Sequence, residues 1–231
     1  MSMIIKKSSG IIQAEEMDKG YNSSRRQFLQ LAGGITGAGL LLAACHKTTG
    51  PTNIYLGAED TALLNYLYVL EQLEAAFYSQ AVSTYYYGIS DLELTLLTDV
   101  RDQEIAHREF IQALLGSNAI PNIVINFNMV TFADRTSVLQ HALAIEDLVV
   151  SAYNGCATLF NNTDYTYAIA KMVSVEARHS AYFRDILTYN SFADSTVIGS
   201  NGLDKAITPQ MGLSQAQQYV QTTFDASKLP S

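Results

Sequence analysis

The sequence predicts an all-α protein, a bundle of four long helices in which a long crossover joins the second helix to the third. Three observations support this fold class. From Glu59 onward, apolar residues recur with the 3.6-residue period of a helix. Four such stretches are separated by glycine, serine and asparagine, which commonly flank helices. Between the second and third stretches, residues 117–133 show no helical period and contain a proline, which indicates a connection that crosses the bundle.

The first two predicted helices have clear boundaries. The first covers residues 59–86, and the second covers residues 91–115. Ser90, with Glu93 three residues later, forms a capping box before the second helix, and Gly116 follows its last residue. We therefore expect these two helices to form a hairpin.

The third and fourth predicted helices cover residues 134–160 and 164–189, with the short polar turn "NNT" between them. The four helices together define a bundle domain at residues 59–190. Residues 191–231 form a C-terminal extension with weaker patterning, in which "SQAQQYVQTTF" predicts a short helix. Residues 46–58 have the composition of a linker.

Residues 1–45 have the features of an export signal. The stretch "SSRRQFLQLAGGITGAGLLLAAC" contains an apolar run that glycines interrupt and that is short for a membrane span of about 20 residues. Arg25 and Arg26 resemble a twin-arginine signal, and the "LAAC" that ends at Cys45 resembles a lipobox. The resemblance implies a lipoprotein anchored through Cys45 in the cell envelope, on the periplasmic side of a membrane. A retained N-terminal anchor helix with an incidental cysteine is the alternative.

The composition limits the classes of function. The chain has 231 residues, enough for one sizeable core plus appendages. Its formal net charge is -8, and no cluster of lysine and arginine is present to neutralise phosphates, which excludes a nucleic-acid partner. The two cysteines, Cys45 and Cys156, lie in the signal segment and in a helical pattern, so we expect no disulfide framework.

Acidic residues interrupt the apolar, core-facing seam of every predicted helix near its middle. The second and fourth helices each carry Glu-x-x-His on this seam, and the first and third each carry a glutamate. "EQLEAAFY" and "EDLVVSAY" also match in their glutamate and tyrosine, a weak internal repeat. Because the midpoints of antiparallel helices of similar length meet at one level, we expect these side chains to converge. They are Glu71, Glu104, His107, Glu146, Glu176 and His179.

Four carboxylates and two imidazoles in a bundle core require compensating charge, since a buried unpaired ion costs several kcal/mol. Two divalent cations supply that charge. One glutamate from each of two helices, with Glu-x-x-His from each of the other two, is the arrangement of di-iron and di-manganese carboxylate bundles. The sequence therefore predicts two iron or two manganese ions, and carboxylate and imidazole ligands suit both metals.

Residues 59–189 resemble the ferritin-like superfamily, and more narrowly the bacterial ferritin-like domain proteins called desiccation-related. The phrases "LEQLEAAFYS", "DQEIAHREF", "IEDLVVSAYNG" and "VEARHSAYFR" carry the resemblance. It implies a ferritin-like four-helix bundle, and it places the metal ligands at the six residues named above.

Three further residues lie beside these predicted ligands. Glu74 is one turn from Glu71, but Val149 occupies its position in the repeat, which favours a supporting or channel role over direct ligation. Tyr78 and Tyr153 lie two turns from the glutamates of the repeat. They either hydrogen-bond the ligand carboxylates or fill the core.

Two functions are consistent with the predicted ligand set and the resemblance. The first is a di-metal oxidoreductase of peroxidase, catalase or oxidase type that acts on dioxygen or peroxide. It would take electrons from an external reductant, because the chain has no haem motif or rubredoxin-like cysteine pairs. The second is a non-enzymatic metal-binding or structural envelope lipoprotein. The complete ligand set favours a metal-loaded centre, and the oxidoreductase is our first hypothesis, with the binding module as the alternative. The expected partners are the membrane, through the lipid, and further copies of the chain in a homo-oligomer.

Overall fold

Four long helices form the core of the protein in a computed structural model that describes residues 53–231. They are α1 (Glu59–Ser83), α2 (Asp91–Leu115), α3 (Arg135–Cys156) and α4 (Thr163–Leu187). A short helix, α5 (Pro209–Ala216), and two short strands, β1 (Ile54–Tyr55) and β2 (Phe224–Asp225), lie outside the bundle. The prediction of an all-α protein built on a bundle of four long helices is confirmed.

The second helix begins and ends at the predicted residues, and its two ends show the reason. Ser90 Oγ accepts a hydrogen bond from the backbone N–H of Glu93 at 3.1 Å, as in a capping box. After the last helical residue, Gly116 has a φ of 55°, which glycine adopts without the steric penalty of a side chain.

The other three long helices end earlier than the sequence predicts. α1 ends at Ser83 rather than at residue 86, because Thr84 leaves the helical conformation and its hydroxyl donates to the carbonyl of Gln80 at 2.7 Å. α3 ends at Cys156 rather than at residue 160, and α4 ends at Leu187 rather than at residue 189. None of these differences moves a predicted site residue out of its helix.

The helices pack as two hairpins, α1 with α2 and α3 with α4, and α1 also contacts α3 and α5. Residues 62–75 of α1 are all buried, so this helix is covered on every side. The crossover, residues 117–133, covers one side of α1. Buried Asn65 on α1 fixes the crossover there, since its side chain donates to the carbonyl of Asn118 at 3.0 Å and accepts from the N–H of Ile120 at 3.0 Å.

The C-terminal extension packs directly on the bundle. A Cβ added to Gly155 of α3 would lie 1.7 Å from the carbonyl oxygen of Ile207, so only glycine allows this close approach. The extension also pairs with the chain elsewhere, because β2 lies parallel to β1 and Val220 bridges to Ile125 of the crossover. These contacts hold the extension and the crossover together over α1.

The short helix of the extension lies earlier than predicted. It begins at Pro209, after Thr208 accepts a hydrogen bond from the N–H of Met211, and it ends at Ala216. The remainder of "SQAQQYVQTTF" leads instead into β2. Within the described residues, no helix has the length and apolar character to cross a membrane. The predicted signal and Cys45 lie outside these residues.

Candidate metal centre

The bundle brings the six predicted ligand residues together at its centre. α1 contributes Glu71, α2 contributes the first Glu-x-x-His, α3 contributes Glu146 and α4 contributes the second Glu-x-x-His. The side chains of all four glutamates are fully buried. Their oxygens and the histidine nitrogens form two groups, each with ligand atoms within 4.8 Å of one another. The first group is Glu71, Glu104, His107 and Glu176, and the second is Glu104, Glu146, Glu176 and His179.

The first group surrounds the Nδ1 atom of His107. This nitrogen lies 2.5 Å from Oε1 of Glu176, 3.3 Å from Oε2 of Glu104 and 3.9 Å from Oε2 of Glu71. The nitrogen and the three oxygens are thus positioned to act as donors around one point.

The second group surrounds the Nδ1 atom of His179. This nitrogen lies 2.8 Å from Oε1 of Glu104, 3.3 Å from Oε2 of Glu176 and 3.6 Å from Oε2 of Glu146. Glu104 and Glu176 therefore belong to both groups and direct one oxygen to each histidine. Glu71 and Glu146 each belong to one group.

Two tyrosines hold the carboxylates that belong to one group only. The hydroxyl of Tyr78 on α1 donates to Oε1 of Glu146 on α3, and the hydroxyl of Tyr153 on α3 donates to Oε1 of Glu71 on α1. Both rings are fully buried or nearly so. The other oxygen of each carboxylate is left free to face the histidines. The sequence allowed two roles for these tyrosines, hydrogen bonding to the carboxylates or filling the core. The structure shows the hydrogen bonds.

The facing atoms fit metal ions better than they fit one another. Both Nδ1 atoms, both oxygens of Glu104 and Glu176, and Oε2 of Glu71 are buried, and within residues 53–231 their polar neighbours are one another, in contacts that lack hydrogen-bond geometry. A buried polar atom without a partner costs free energy, and a cluster of them at contact distance is costlier still. Two divalent ions would pair these atoms and would balance the charge of four carboxylates.

The pKa values of the cluster show the same crowding. Burial by itself lowers the pKa of the two imidazoles, but the surrounding carboxylates outweigh burial and raise the pKa to about 11 for His107 and about 12 for His179. Burial raises the pKa of Glu71 well above its usual value and raises that of Glu146 to about 8. For Glu176, burial acts in the same direction, but contacts with both histidines dominate and lower the pKa.

Glu74 is buried beside the cluster and belongs to neither group. Both of its oxygens are without a hydrogen-bond partner, and its side chain is fully buried. Burial raises its pKa well above the usual value, and the charge of Glu104 raises it further. Within the described residues, Glu74 is thus a fifth carboxyl group beside the cluster, and it has no hydrogen-bond partner there.

Replacing Glu74 with glutamine should stabilise the metal-free protein at pH 7.5 and should leave the number of bound metal ions unchanged. Glutamine keeps the shape but cannot ionise, so the part of the free-energy cost that comes from keeping the buried carboxyl protonated at this pH disappears, while the cost of burying an unpaired polar group remains. The melting temperature should rise by about 2–4 °C for each kcal/mol gained. Metal analysis of the same variant provides the second readout. Loss of a bound ion from it would make Glu74 a ligand and contradict this assignment.

Two contacts around the centre were not predicted from the sequence. Oε1 of Gln103 lies 3.0 Å from Nε2 of His179, although Gln103 itself is exposed. Asp147, next to Glu146, accepts hydrogen bonds from Ser180 at 2.6 Å and from Arg184, and so joins α3 to α4. Gln103 and Asp147 are each adjacent to a predicted ligand in the sequence, and this position was the one available signal.

Comparison with known families agrees with the geometry. The family described as "Ferritin-like domain" matches residues 59–189, which include all four helices of the bundle and all six residues of the two groups. No curated protein matches the chain. The family match covers more than half of the 231 residues, and the chain therefore belongs to the ferritin-like domain family.

Proposed function

We propose that the protein holds a dinuclear iron or manganese centre and uses it for redox chemistry on peroxide or dioxygen. The observation that carries the proposal is the pair of donor groups that share Glu104 and Glu176, one oxygen of each carboxylate directed to each histidine. When bound there, two redox-active ions would supply two electrons to one small oxidant.

The four glutamates would have different roles in holding the ions. Glu104 and Glu176 would hold both ions, and Glu71 and Glu146 would each hold one, oriented by the tyrosine hydroxyls on the opposite helix. Apolar core residues surround the centre, so the oxidant would be a small molecule such as peroxide. Electrons for further cycles would come from a separate donor.

The reaction with hydrogen peroxide tests this function. Anaerobically reduced, metal-loaded protein should be oxidised rapidly, at a stoichiometry near one peroxide per centre, since each ion gives one electron. An added reductant should restore the protein for further cycles. Stopped-flow absorbance at known metal content measures both the rate and the stoichiometry.

Glu104→Ala should abolish the fast phase of this reaction and leave the helical fold intact, because Glu104 contributes an oxygen to both groups. Glu109→Ala is the matched control, since Glu109 lies on the same helix and is exposed. Its reaction should match that of the unaltered protein. If fully loaded, reduced protein reacts with peroxide and dioxygen no faster than free metal ions do, the redox function is wrong. A non-enzymatic metal-binding or structural envelope lipoprotein then replaces it.

We also propose that the protein is exported and anchored by lipid at Cys45, and that it is of the desiccation-related type. The twin-arginine pair and the "LAAC" that follows support export, and the four quoted helix phrases support the type. A twin-arginine route carries folded proteins, so the bundle would acquire its metal before it crosses the membrane.

Cys45→Ser should move the protein from the membrane fraction to the soluble or unprocessed fraction. Each buried methylene of an acyl chain contributes about 0.8 kcal/mol to membrane binding, and the substitution removes the site of acylation. Fractionation followed by mass spectrometry of the N-terminus measures the outcome. Cys156→Ser is the control, because Cys156 is the buried thiol of the described part of the chain and should not affect location. An unmodified Cys45 in the unaltered, mature protein would exclude lipid anchoring.

A further inference from the structure

The two histidines of the centre differ in the surroundings of their outer nitrogen. Nδ1 faces the carboxylates in both. Nε2 of His179 lies 3.0 Å from Oε1 of Gln103. Among the described residues, none hydrogen-bonds Nε2 of His107 in this way. The two Glu-x-x-His segments are therefore alike in their predicted ligand atoms but differ in the residues that contact the outer nitrogen of each histidine.

The two donor groups also differ in burial. All four members of the group around His179 are buried, and the side chain of His179 is 8% exposed. In the group around His107, the histidine is only partly buried, with a side-chain exposure of 14%. The side chain of His107 is therefore slightly more exposed than that of His179.

The contact with Gln103 has a defined chemical effect on the ligand. A histidine that binds metal through Nδ1 must carry its proton on Nε2, and this N–H then donates to Oε1 of Gln103. Such a hydrogen bond fixes the tautomer and the ring orientation and makes the ligand nitrogen more basic. Loss of a partner of this kind typically lowers metal affinity by about 10–100-fold. No residue in the described part of the chain gives His107 an equivalent hydrogen bond.

We infer that the two metal positions are inequivalent, and that Gln103 is the positioning residue that creates the difference. The position at His179 binds a divalent transition-metal ion first and more tightly. The position at His107 fills second and exchanges its ion more readily. This inference rests on the proposed dinuclear centre and assigns a binding order to it.

Titration with Mn²⁺ tests the inference on the full chain in detergent, after removal of metal with a chelator. The electron paramagnetic resonance signal of free Mn²⁺ gives the two dissociation constants. The unaltered protein should bind two ions in unequal steps. His179→Ala should remove the tighter step, and His107→Ala should remove the weaker step.

Gln103→Leu should raise the dissociation constant of the tighter step by about 10-fold or more and should leave the weaker step nearly unchanged. Gln103→Glu keeps an acceptor at this position and should preserve the tighter step. Gln112→Leu is the control, because Gln112 is an exposed glutamine on the same helix. It should alter neither constant. This pattern is specific to positioning, since a general loss of folding would weaken both steps.

The possible failures are distinguishable. If the unaltered protein binds two Mn²⁺ ions with equal affinity, or if Gln103→Leu changes both steps alike or neither, the inequivalence is wrong and the dinuclear centre stands. If the unaltered protein binds fewer than two Mn²⁺ ions, the proposed centre is itself wrong, and the inequivalence fails with it.

Discussion

Replacing Glu176 and His179 together with alanine should remove at least one of two metal ions from each chain. Glu176 contributes one oxygen to each donor group, and His179 contributes the nitrogen of the second group. The double substitution therefore leaves the second group with two of its four donors and the first with three. Metal analysis by inductively coupled plasma mass spectrometry, on protein matured in its native host, measures the number of ions per chain.

A matched double substitution on the same helix controls for changes in folding. Ser174 and Arg178 are exposed residues of α4, four residues apart. Ser174→Ala with Arg178→Ala should retain two ions, and circular dichroism should show equal helix content for both variants. Two ions per chain in the Glu176 and His179 variant would show that the metal binds elsewhere.

The metal-free protein should be more stable at pH 5.5 than at pH 8. Groups with a raised folded pKa contribute stability that is complete below their unfolded pKa and that is lost as the pH rises through the folded pKa. For Glu146 this loss extends from its ordinary value of 4.5 to about 8, at about 1.4 kcal/mol per pH unit. For His107 it extends from 6.5 to about 11. Glu176 acts in the opposite direction, but its contribution is lost only as the pH falls.

Metal should reverse this dependence on pH. The ions bind ionised carboxylates and neutral imidazoles, so their affinity increases as the pH rises and protons leave the site. Thermal melts of metal-free and metal-loaded protein between pH 5.5 and pH 8 should therefore show the largest stabilisation by metal at pH 8. A metal-free protein whose melting temperature rises steadily from pH 5.5 to pH 8 would contradict the crowded carboxylate cluster.

The positions of the six site residues were predictable because helical geometry repeats. Residues three apart lie on one helix face, so Glu104 with His107, and Glu176 with His179, had to point in one direction once their segments were helical. The helix starts then placed the glutamates at one level. Glu104 and Glu176 each belong to both groups, and this sharing was not predictable from the sequence. It depends on side-chain rotamers and on the distance between α2 and α4.

The residues that hydrogen-bond the predicted ligands were harder to predict, because these contacts depend on how the helices pack. Gln103 follows an aspartate and is exposed, so its sequence context is that of a solvated surface residue. Its contact with His179 depends on which helix faces α2, and this is a tertiary property. The hydroxyls of Tyr78 and Tyr153 were ambiguous in the same way, because a buried tyrosine at a core position serves equally as packing.

The position of the C-terminal extension was not predictable from the sequence, for a different reason. Some of its contacts with the bundle and the crossover are made by backbone atoms, as in the approach of Ile207 to Gly155 and the bridge from Val220 to Ile125. Backbone contacts leave little pattern in the side chains, so the helical periodicity that identified the bundle could not place this segment. The helix ends at residues 83 and 156 were missed because apolar residues continue past them in the sequence.

The most direct test of the dinuclear centre is a crystal structure of the metal-loaded protein with anomalous diffraction at the absorption edge of the bound metal. We expect two anomalous peaks between the four helices, with Glu104 and Glu176 in contact with both ions. His107 with Glu71 should bind one ion, and His179 with Glu146 should bind the other. A single peak, or peaks away from these residues while the glutamates remain unligated, would exclude a dinuclear centre at this position.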